Sequence, residues 1–340
     1  MIVSFAIVAY NEEKVLPRLL SDLAAQDYPK DKTEVLLIDS MSTDNTRLIM
    51  EKFAQEHQDY LGVKVLSNFK KIIPCGHNVA LDNYSGDALI RIDAHATMPY
   101  DFISKNVAVL QSGEVASGGR RPNIIDSSTP FKETLLTAEQ SMFGSSIAPY
   151  RNSGKKMYTS SLFCGMYRRE VYDKVGRYNE LLPRSEDNDM TYRMRKAGFK
   201  LCYSPDIVFY QHTRNTLFKM LKQKFLNGYW IGKTMGVSPR CFSVFHFVPF
   251  AFVLGIILTT VLACLGHPFL SLLMWAAYGV LVVAMTVIEL IKKPKLTNLL
   301  LPLIFLLLHL SYGVGTVFGF IVLPFWLHKI KKRVTLGSCD

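Results

Sequence analysis

Asp87-Ala88-Leu89-Ile90-Arg91-Ile92-Asp93-Ala94-His95 is the stretch on which the fold turns. Its first six residues read as a short, mostly buried strand, and a carboxylate and an imidazole follow at the carboxyl end. Two such groups, two residues apart, can point at one divalent ion. In an open α/β sheet the carboxyl edge of the strands is where ligands bind. Carboxylate sites for Mg2+ or Mn2+ usually leave positions open for phosphate oxygens, so Asp93-Ala94-His95 suggests chemistry on a nucleotide-linked substrate.

Upstream of that strand, apolar runs and helical periodicity alternate. Ile2 to Ala9 reads as a strand, and Leu16, Leu19, Leu20 and Leu23 then recur at helical spacing. Glu34 to Ile38 is a second strand, ending at Asp39; Thr43-Asp44 reads as a helix start with Leu48, Ile49 and Phe53 on one face. Val63 to Leu66 is a third strand, and Val79, Ala80 and Leu81 suggest a further helix. Repeated β-α units predict an α/β domain with a mostly parallel sheet and helices on both faces. Downstream, Gly118-Gly119-Arg120-Arg121-Pro122 reads as a strand end and turn, 130–147 as helix, Arg151 to Lys156 as a mobile loop, and Ser160 to Tyr167 as a strand lining the cleft. Ser185-Glu186-Asp187-Asn188-Asp189 opens a helix that Gly198 closes. Acids at a helix N-terminus can simply cap it, but three in four positions exceed that need, so capping and function both stay open.

The chain has 340 residues, 49% of them hydrophobic, and the apolar excess lies at one end. No Asp, Glu, Lys or Arg occurs from Cys241 to Ile288, nor from Leu296 to Leu327. A crossing takes about 20 apolar residues. Three spans are therefore expected, at 243–265, 268–291 and 299–327, with a break at Gly266-His267-Pro268. Ahead of them, Leu217, Phe218, Leu221, Phe225, Tyr229 and Trp230 fall at three- and four-residue intervals among lysines. That is an amphipathic basic helix suited to a lipid surface, with packing against the protein as the alternative. The expected organisation is a cytosolic domain over 1–213, an interfacial region over 214–240 and membrane helices over 241–334.

The formal charge of +11 raises nucleic acid as a partner, but its distribution argues against one. Arg214, Lys219, Lys222, Lys224, Lys233 and Arg240 form an acid-free basic stretch, and Lys292, Lys293, Lys295, Lys329, Lys331, Lys332 and Arg333 flank apolar runs. Juxtamembrane Lys and Arg mark the cytoplasmic side and attract anionic lipid. Three crossings would leave Lys329–Arg333 outside, against that tendency; a tilted or re-entrant stretch around Gly313, Gly315 and Gly319 is the alternative. The six cysteines form no Cys-x-x-Cys pair, which argues against a zinc site or disulfide scaffold and fits a reducing compartment. The opening residues lack the basic start of a signal peptide.

In this order the pieces resemble the inverting nucleotide-sugar glycosyltransferases of family 2, which have the GT-A fold. The resemblance covers about residues 1–235 and is nearest to the membrane-anchored branch building bacterial exopolysaccharides and capsules, of the succinoglycan-synthesis type. Four motifs carry it: Val8-Ala9-Tyr10-Asn11-Glu12-Glu13; Asp39-Ser40-Met41-Ser42-Thr43-Asp44-Asn45-Thr46; Asp93-Ala94-His95 where the family has Asp-x-Asp; and Glu186-Asp187 followed by Arg193, Lys196-Ala197-Gly198-Phe199, Pro205 and His212.

The resemblance implies that Ala9, Tyr10, Asn11, Glu12, Asp39, Ser42, Asn78 and Asp93 serve the nucleotide. It implies that Asp93 and His95, with His212 as a third ligand, hold Mn2+ or Mg2+; imidazole, softer than carboxylate, tolerates Mn2+ well. Asp187 becomes the general base, and Glu186 orients the acceptor. Arg120 and Arg121 fall on the acceptor side, where guanidinium suits phosphate. The implied reaction moves one sugar from a nucleotide sugar, a UDP-sugar in the first instance, to a polyprenyl-diphosphate-linked saccharide at the bacterial cytoplasmic membrane. A processive synthase is disfavoured, because Gln223 precedes Asn227-Gly228-Tyr229-Trp230 without the arginine of that motif. Transfer to polyprenyl phosphate itself competes with this reading, as does a catalytically silent membrane scaffold.

Overall fold

The computed structural model describes residues 1–144 and 153–335. They divide into two compact units, 1–122 with 149–212 and 123–148 with 213–340.

In the first unit, β1 (Val3–Ala9), β2 (Thr33–Asp39), β3 (Gly62–Ser67) and β4 (Ala88–Asp93) alternate with α1 (Leu16–Ala24), α2 (Thr46–Glu56) and α3 (Ile73–Asn83). After β4 come β5 (Ala96–Thr97), α4 (Phe102–Gln111) and β6 (Ala116–Arg120); β7 (Asn123–Ile124) and α5 (Pro130–Gln140) belong to the second unit. The chain then returns as β8 (Met157–Thr159), β9 (Met166–Arg168), α6 (Arg169–Val175), α7 (Glu186–Lys196), β10 (Leu201–Val208) and β11 (Tyr210–His212). The sheet order is β3-β2-β1-β4-β9-β6-β10-β8. β1 pairs in parallel with both β2 and β4, so the order reverses there. β9 and β8 run antiparallel to their neighbours.

Alternate residues of β1, β2 and β4 enter two cores. Phe5, Ile7, Leu37 and Ile90 pack with Leu16, Leu19 and Phe102 on one face. Ala6, Leu36, Ile38 and Leu89 pack with Tyr167, Tyr172 and Tyr203 on the other. Both faces are covered, which is why these strands read as unbroken apolar runs rather than alternating ones.

Two local expectations need correction. Ser160 to Tyr167 is not one strand: β8 ends before it and β9 begins at its last residues, with Cys164 between them at φ 45°. The helix expected over 130–147 stops at Gln140, and 145–147 lie outside the described residues. The loop expected from Arg151 has its first two residues outside them as well.

The second unit holds α5, α8 (Leu217–Thr234), α9 (Val248–Cys264), α10 (Phe269–Lys292) and α11 (Leu301–Thr335). Residues 123–144 group with this second unit. Their helix α5 buries Leu135 and Ala138 with Met220, Leu301, Ile304, Phe305 and Leu308. Thr134 Oγ1 donates to Asn298 Oδ1 at 3.0 Å, and Glu133 pairs with Lys295. The stretches Val244–Cys264, Phe269–Lys292 and Leu296–Ile330 are each long and apolar enough to cross a membrane.

Candidate active site

The site is built from loops at the carboxyl edge of β1, β2 and β4, where an α/β sheet takes its ligands. Ala9 ends β1 and its carbonyl accepts from Ser40 N at 2.8 Å. Asn11 adopts φ 55°, a left-handed conformation that its short polar side chain tolerates. The turn lets Asn11 N donate to Ser42 Oγ at 3.0 Å and Asn11 Oδ1 accept from Thr43 N at 2.8 Å. Asp39, buried at the end of β2, accepts from Ser42 N at 3.1 Å through Oδ1. Glu12 N donates to Thr46 Oγ1 at 2.8 Å. The two loops are thereby stitched into one rigid wall, with the Tyr10 ring half exposed beside it. Met41 at φ 59° and Lys71 at φ 60° add left-handed residues after β2 and β3. Strained backbone of this kind collects where function over-determines geometry.

Asn78 is built differently. It lies in α3, where Nδ2 donates to the Tyr178 carbonyl at 3.0 Å and to Glu180 Oε1 at 3.1 Å, and Oδ1 accepts from Tyr178 N at 2.8 Å. Its amide anchors the segment that leads into α7.

Arg91 and Asp93 share one face of β4, because strand side chains alternate. Asp93 ends the strand and is exposed. Arg91 is withdrawn, with Nη1 2.6 Å from His77 Nε2 and 3.7 Å from Glu186 Oε1, and its guanidinium 5.6 Å from the centre of the Tyr178 ring. Burial opposes its charge, and the Tyr178, Glu186, Asp187 and Asp93 side chains together hold the guanidinium well above the ordinary arginine range. Burial, followed by the Arg91 charge, pushes the His77 imidazole well below its ordinary range, so it is neutral and accepts from Arg91.

The three acids that open α7 separate by environment. Asp189 pairs with Arg193 at 2.9 Å, one turn on, and serves the helix. Glu186 is buried; burial first, then the Asp187 charge, raises its carboxyl to about 8 against the opposing pull of Arg91. Asp187 is half-buried, and its Oδ1 accepts from Asn188 N at 2.8 Å and Asn188 Nδ2 at 3.1 Å.

The family description Glycosyl transferase family 2 matches residues 4–176. The chain belongs to glycosyltransferase family 2. This glycosyltransferase is 26% identical over 322 residues to the dolichyl N-acetyl-alpha-D-glucosaminyl phosphate 3-beta-D-2,3-diacetamido-2,3-dideoxy-beta-D-glucuronosyltransferase of Methanococcus voltae, covering 92% of this chain and 95% of that one. It is 28% identical over 229 residues to the succinoglycan biosynthesis protein ExoA of Rhizobium meliloti (strain 1021), 67% of each chain. Among solved structures it resembles the mannosyltransferase PcManGT from Pyrobaculum calidifontis in complex with GDP-Man and Mn2+, with TM-score 0.62, 18% identity, and 93% of this chain and 87% of that one covered. That likeness shows the GT-A fold.

His95 is half-buried two residues beyond Asp93. β11 pairs antiparallel with β5, Gln211 opposite Ala96 and Tyr210 opposite Thr97, a register that runs His212 back towards His95. His212 Nε2 lies 3.0 Å from Thr97 Oγ1. Among the described residues no three His, Cys, Asp or Glu side chains are gathered tightly enough to hold a metal. One exposed carboxylate and one imidazole nevertheless suit a divalent ion that completes its shell with diphosphate oxygens and water. Arg120 is exposed at the end of β6, and the Arg121 guanidinium stacks 3.6 Å from the centre of the Phe163 ring.

Reading the sequence missed Arg91, His77 and Tyr178 as members of this glycosyltransferase site. Arg91 left a signal: a basic residue inside an otherwise apolar strand, two positions before Asp93. His77 and Tyr178 left none, because only the packing of α3 and the segment before α7 brings them to Arg91, with the two rings 5.0 Å apart.

Proposed function

We propose that this glycosyltransferase moves one sugar from a nucleotide sugar, UDP-linked in the first instance, to a polyprenyl-diphosphate-linked saccharide with inversion at the anomeric carbon. The observation that carries the reading is the buried pairing of Glu186, beside Asp187, with Arg91, two residues before the exposed Asp93, at the strand edge where the Asn11–Ser42 wall stands. The catalytic unit faces the cytoplasm of a bacterial cell, where nucleotide sugars are made.

The chemistry is a single displacement. The acceptor hydroxyl attacks the anomeric carbon, its proton passes to a base, and the bond from that carbon to the diphosphate oxygen breaks. Glu186, holding its proton near neutral pH, is a poor base there and a good hydrogen-bond donor to the acceptor. Asp187 then takes the proton, its carboxylate oriented by the Asn188 amides. The loop from Ala9 to Glu12 with Asp39 and Ser42 takes the base and ribose; a carboxylate can accept the N3–H of uracil. Asp93 and His95, with His212 from β11, would hold Mn2+ or Mg2+, which supplies charge neutralisation to the leaving diphosphate.

A purified transfer assay tests both assignments. Asp187→Asn is expected to keep nucleotide binding and to lose about two orders of magnitude or more in transfer, the share a positioned base commonly supplies. Near-normal turnover would remove Asp187 from the base role. EDTA is expected to stop transfer and Mn2+ or Mg2+ to restore it; undiminished activity in metal-free buffer would overturn the metal assignment.

A further inference from the structure

Three apolar stretches in the second unit are long enough to cross a bilayer, but they are packed in two different ways. α9 and α10 form an antiparallel hairpin: Phe252 stacks on Tyr278 with centres 4.5 Å apart, and Thr259 Oγ1 lies 3.8 Å from Met274 Sδ. Beyond its first turns α9 presents Leu254, Ile257, Leu258 and Val261 outward, and α10 presents Leu272, Leu273, Val280 and Val283. Such all-round apolar exposure suits hydrocarbon.

Among the described residues α11 touches that hairpin only near its base, where His309 Nδ1 lies 3.0 Å from the Tyr278 hydroxyl of α10 and Met285 packs beside Leu301, Ile304, Phe305 and Leu308. It meets α9 at Pro249, Phe250, Phe252 and Val253, while its own share of the contact runs from His309 through Gly313 to Phe320. One turn of α9 against three turns of α11 is a crossing at the base of the hairpin.

Its lengthwise partner is α8. Ser311 Oγ donates to the Leu221 carbonyl at 2.7 Å, Phe225 packs on Phe318, and the Trp230 and Trp326 rings lie 6.0 Å apart. Gly228, Gly232 and Gly236 follow one another at four-residue spacing. At Gly228 and Gly232 any side chain would strike the α11 backbone around Tyr312, Thr316 and Phe320. Small residues at that spacing let two helices approach closely. The two helices therefore run parallel and share one depth.

α8 carries Lys219, Lys222, Lys224 and Lys233 and no acid. Lysines are costly at the centre of a bilayer and favoured at its surface, where Lys and Arg attract anionic lipid. Only Lys224 has a carboxylate, Glu139 at 3.0 Å, among the described residues. Lys233 is buried among Trp230, Trp326 and Tyr229, 4.0, 4.4 and 5.1 Å from the ring centres, and aromatic rings of this kind gather at membrane interfaces.

We propose that α8 and α11 lie together on the anionic cytoplasmic leaflet as a basic, aromatic platform, and that only the α9–α10 hairpin crosses the membrane. Leu303, Phe318, Ile321 and Phe325 form the exposed apolar face of α11 that would enter the lipid boundary. Both ends of the chain then stand on one side, and Lys329–Arg333 obey the positive-inside tendency.

Cysteine labelling of the full chain tests this without reference to transfer activity, so its failure and that of the proposed function are distinguishable. Cys264 is exposed at the tip of the hairpin, and Cys339 lies near the carboxyl end. Cys339→Ser leaves Cys264 and Cys264→Ser leaves Cys339 as the reporter beside four buried cysteines, and Ser112→Cys, without either, reports the catalytic unit. In right-side-out vesicles a membrane-impermeant maleimide is expected to label Cys264 directly. The Cys339 and Ser112→Cys reporters are expected to label only after permeabilisation. Three crossings put Cys264 and Cys339 on the same side. Labelling of both in intact vesicles, with the Ser112→Cys reporter hidden, would overturn the proposal.

Discussion

Arg91 and Lys233 are both withdrawn from water, and their surroundings are opposite. Arg91, in the catalytic unit, lies 3.7 Å from Glu186 and leans on a neutral His77 and the Tyr178 ring. Lys233, in the helical unit, faces three aromatic rings. A guanidinium beside acids that open a helix and end a strand suits a site that must handle charge. A ring of aromatics attracts a cation without an anion, by the negative faces of the rings. The first arrangement holds a cation by charge and hydrogen bonds; the second buries a lysine stem against rings.

The contrast can be broken with one kind of substitution at both places. Arg91→Met removes a buried cation together with its hydrogen bond to His77 and its contact with Glu186, and losing a hydrogen bond to a charged group typically costs about 1.5–3 kcal/mol. Chemical denaturation in detergent micelles is expected to show a loss of that size; a loss under about 1 kcal/mol would mean the acids are neutral or hydrated without Arg91. Glu186→Gln sharpens the picture through pH. The folded chain holds the Glu186 proton up to about 8, whereas the unfolded chain releases it near the ordinary value of 4.5. Between those values the unfolded state binds fewer protons, so wild-type stability falls as pH rises, by up to about 1.4 kcal/mol per unit for one group. The glutamine variant lacks that slope. Its stability relative to wild type is expected to climb from pH 5 to pH 8 and then level off; parallel curves would return Glu186 to an ordinary acid. Lys233→Met has the smallest expected effect, under about 1 kcal/mol, because a thioether packs well on aromatic rings. A loss equal to that of Arg91→Met would erase the distinction between the two cations.

Much of the fold was legible in local pattern. β1, β2, β3 and β4 stand where apolar runs placed them, within a residue or two at each end. Buried parallel strands must be apolar on both faces, so they leave an unmistakable trace. β8 and β9 left a weaker one: each has three residues, and the apolar Leu162-Phe163-Cys164 between them mimicked a strand. The membership of 123–148 was not legible. Its helix α5 has an ordinary amphipathic pattern, and nothing in that pattern says which core receives it. The glycines of α8 were overlooked because lysines and aromatics at helical spacing suggested lipid as the partner, while the spacing of Gly228, Gly232 and Gly236 pointed to another helix.

By itself the sequence determined the elements, the two charge-free runs and the order of four motifs, because periodicity, charge and spacing are properties of neighbours along a chain. Tertiary structure alone decided that Arg91 meets His77, Tyr178 and Glu186, that Asn78 braces a loop, and that α11 lies along α8. Those facts depend on burial and on distances between residues far apart in the chain. A carboxylate becomes an acid or a base only once its surroundings have set the cost of its charge.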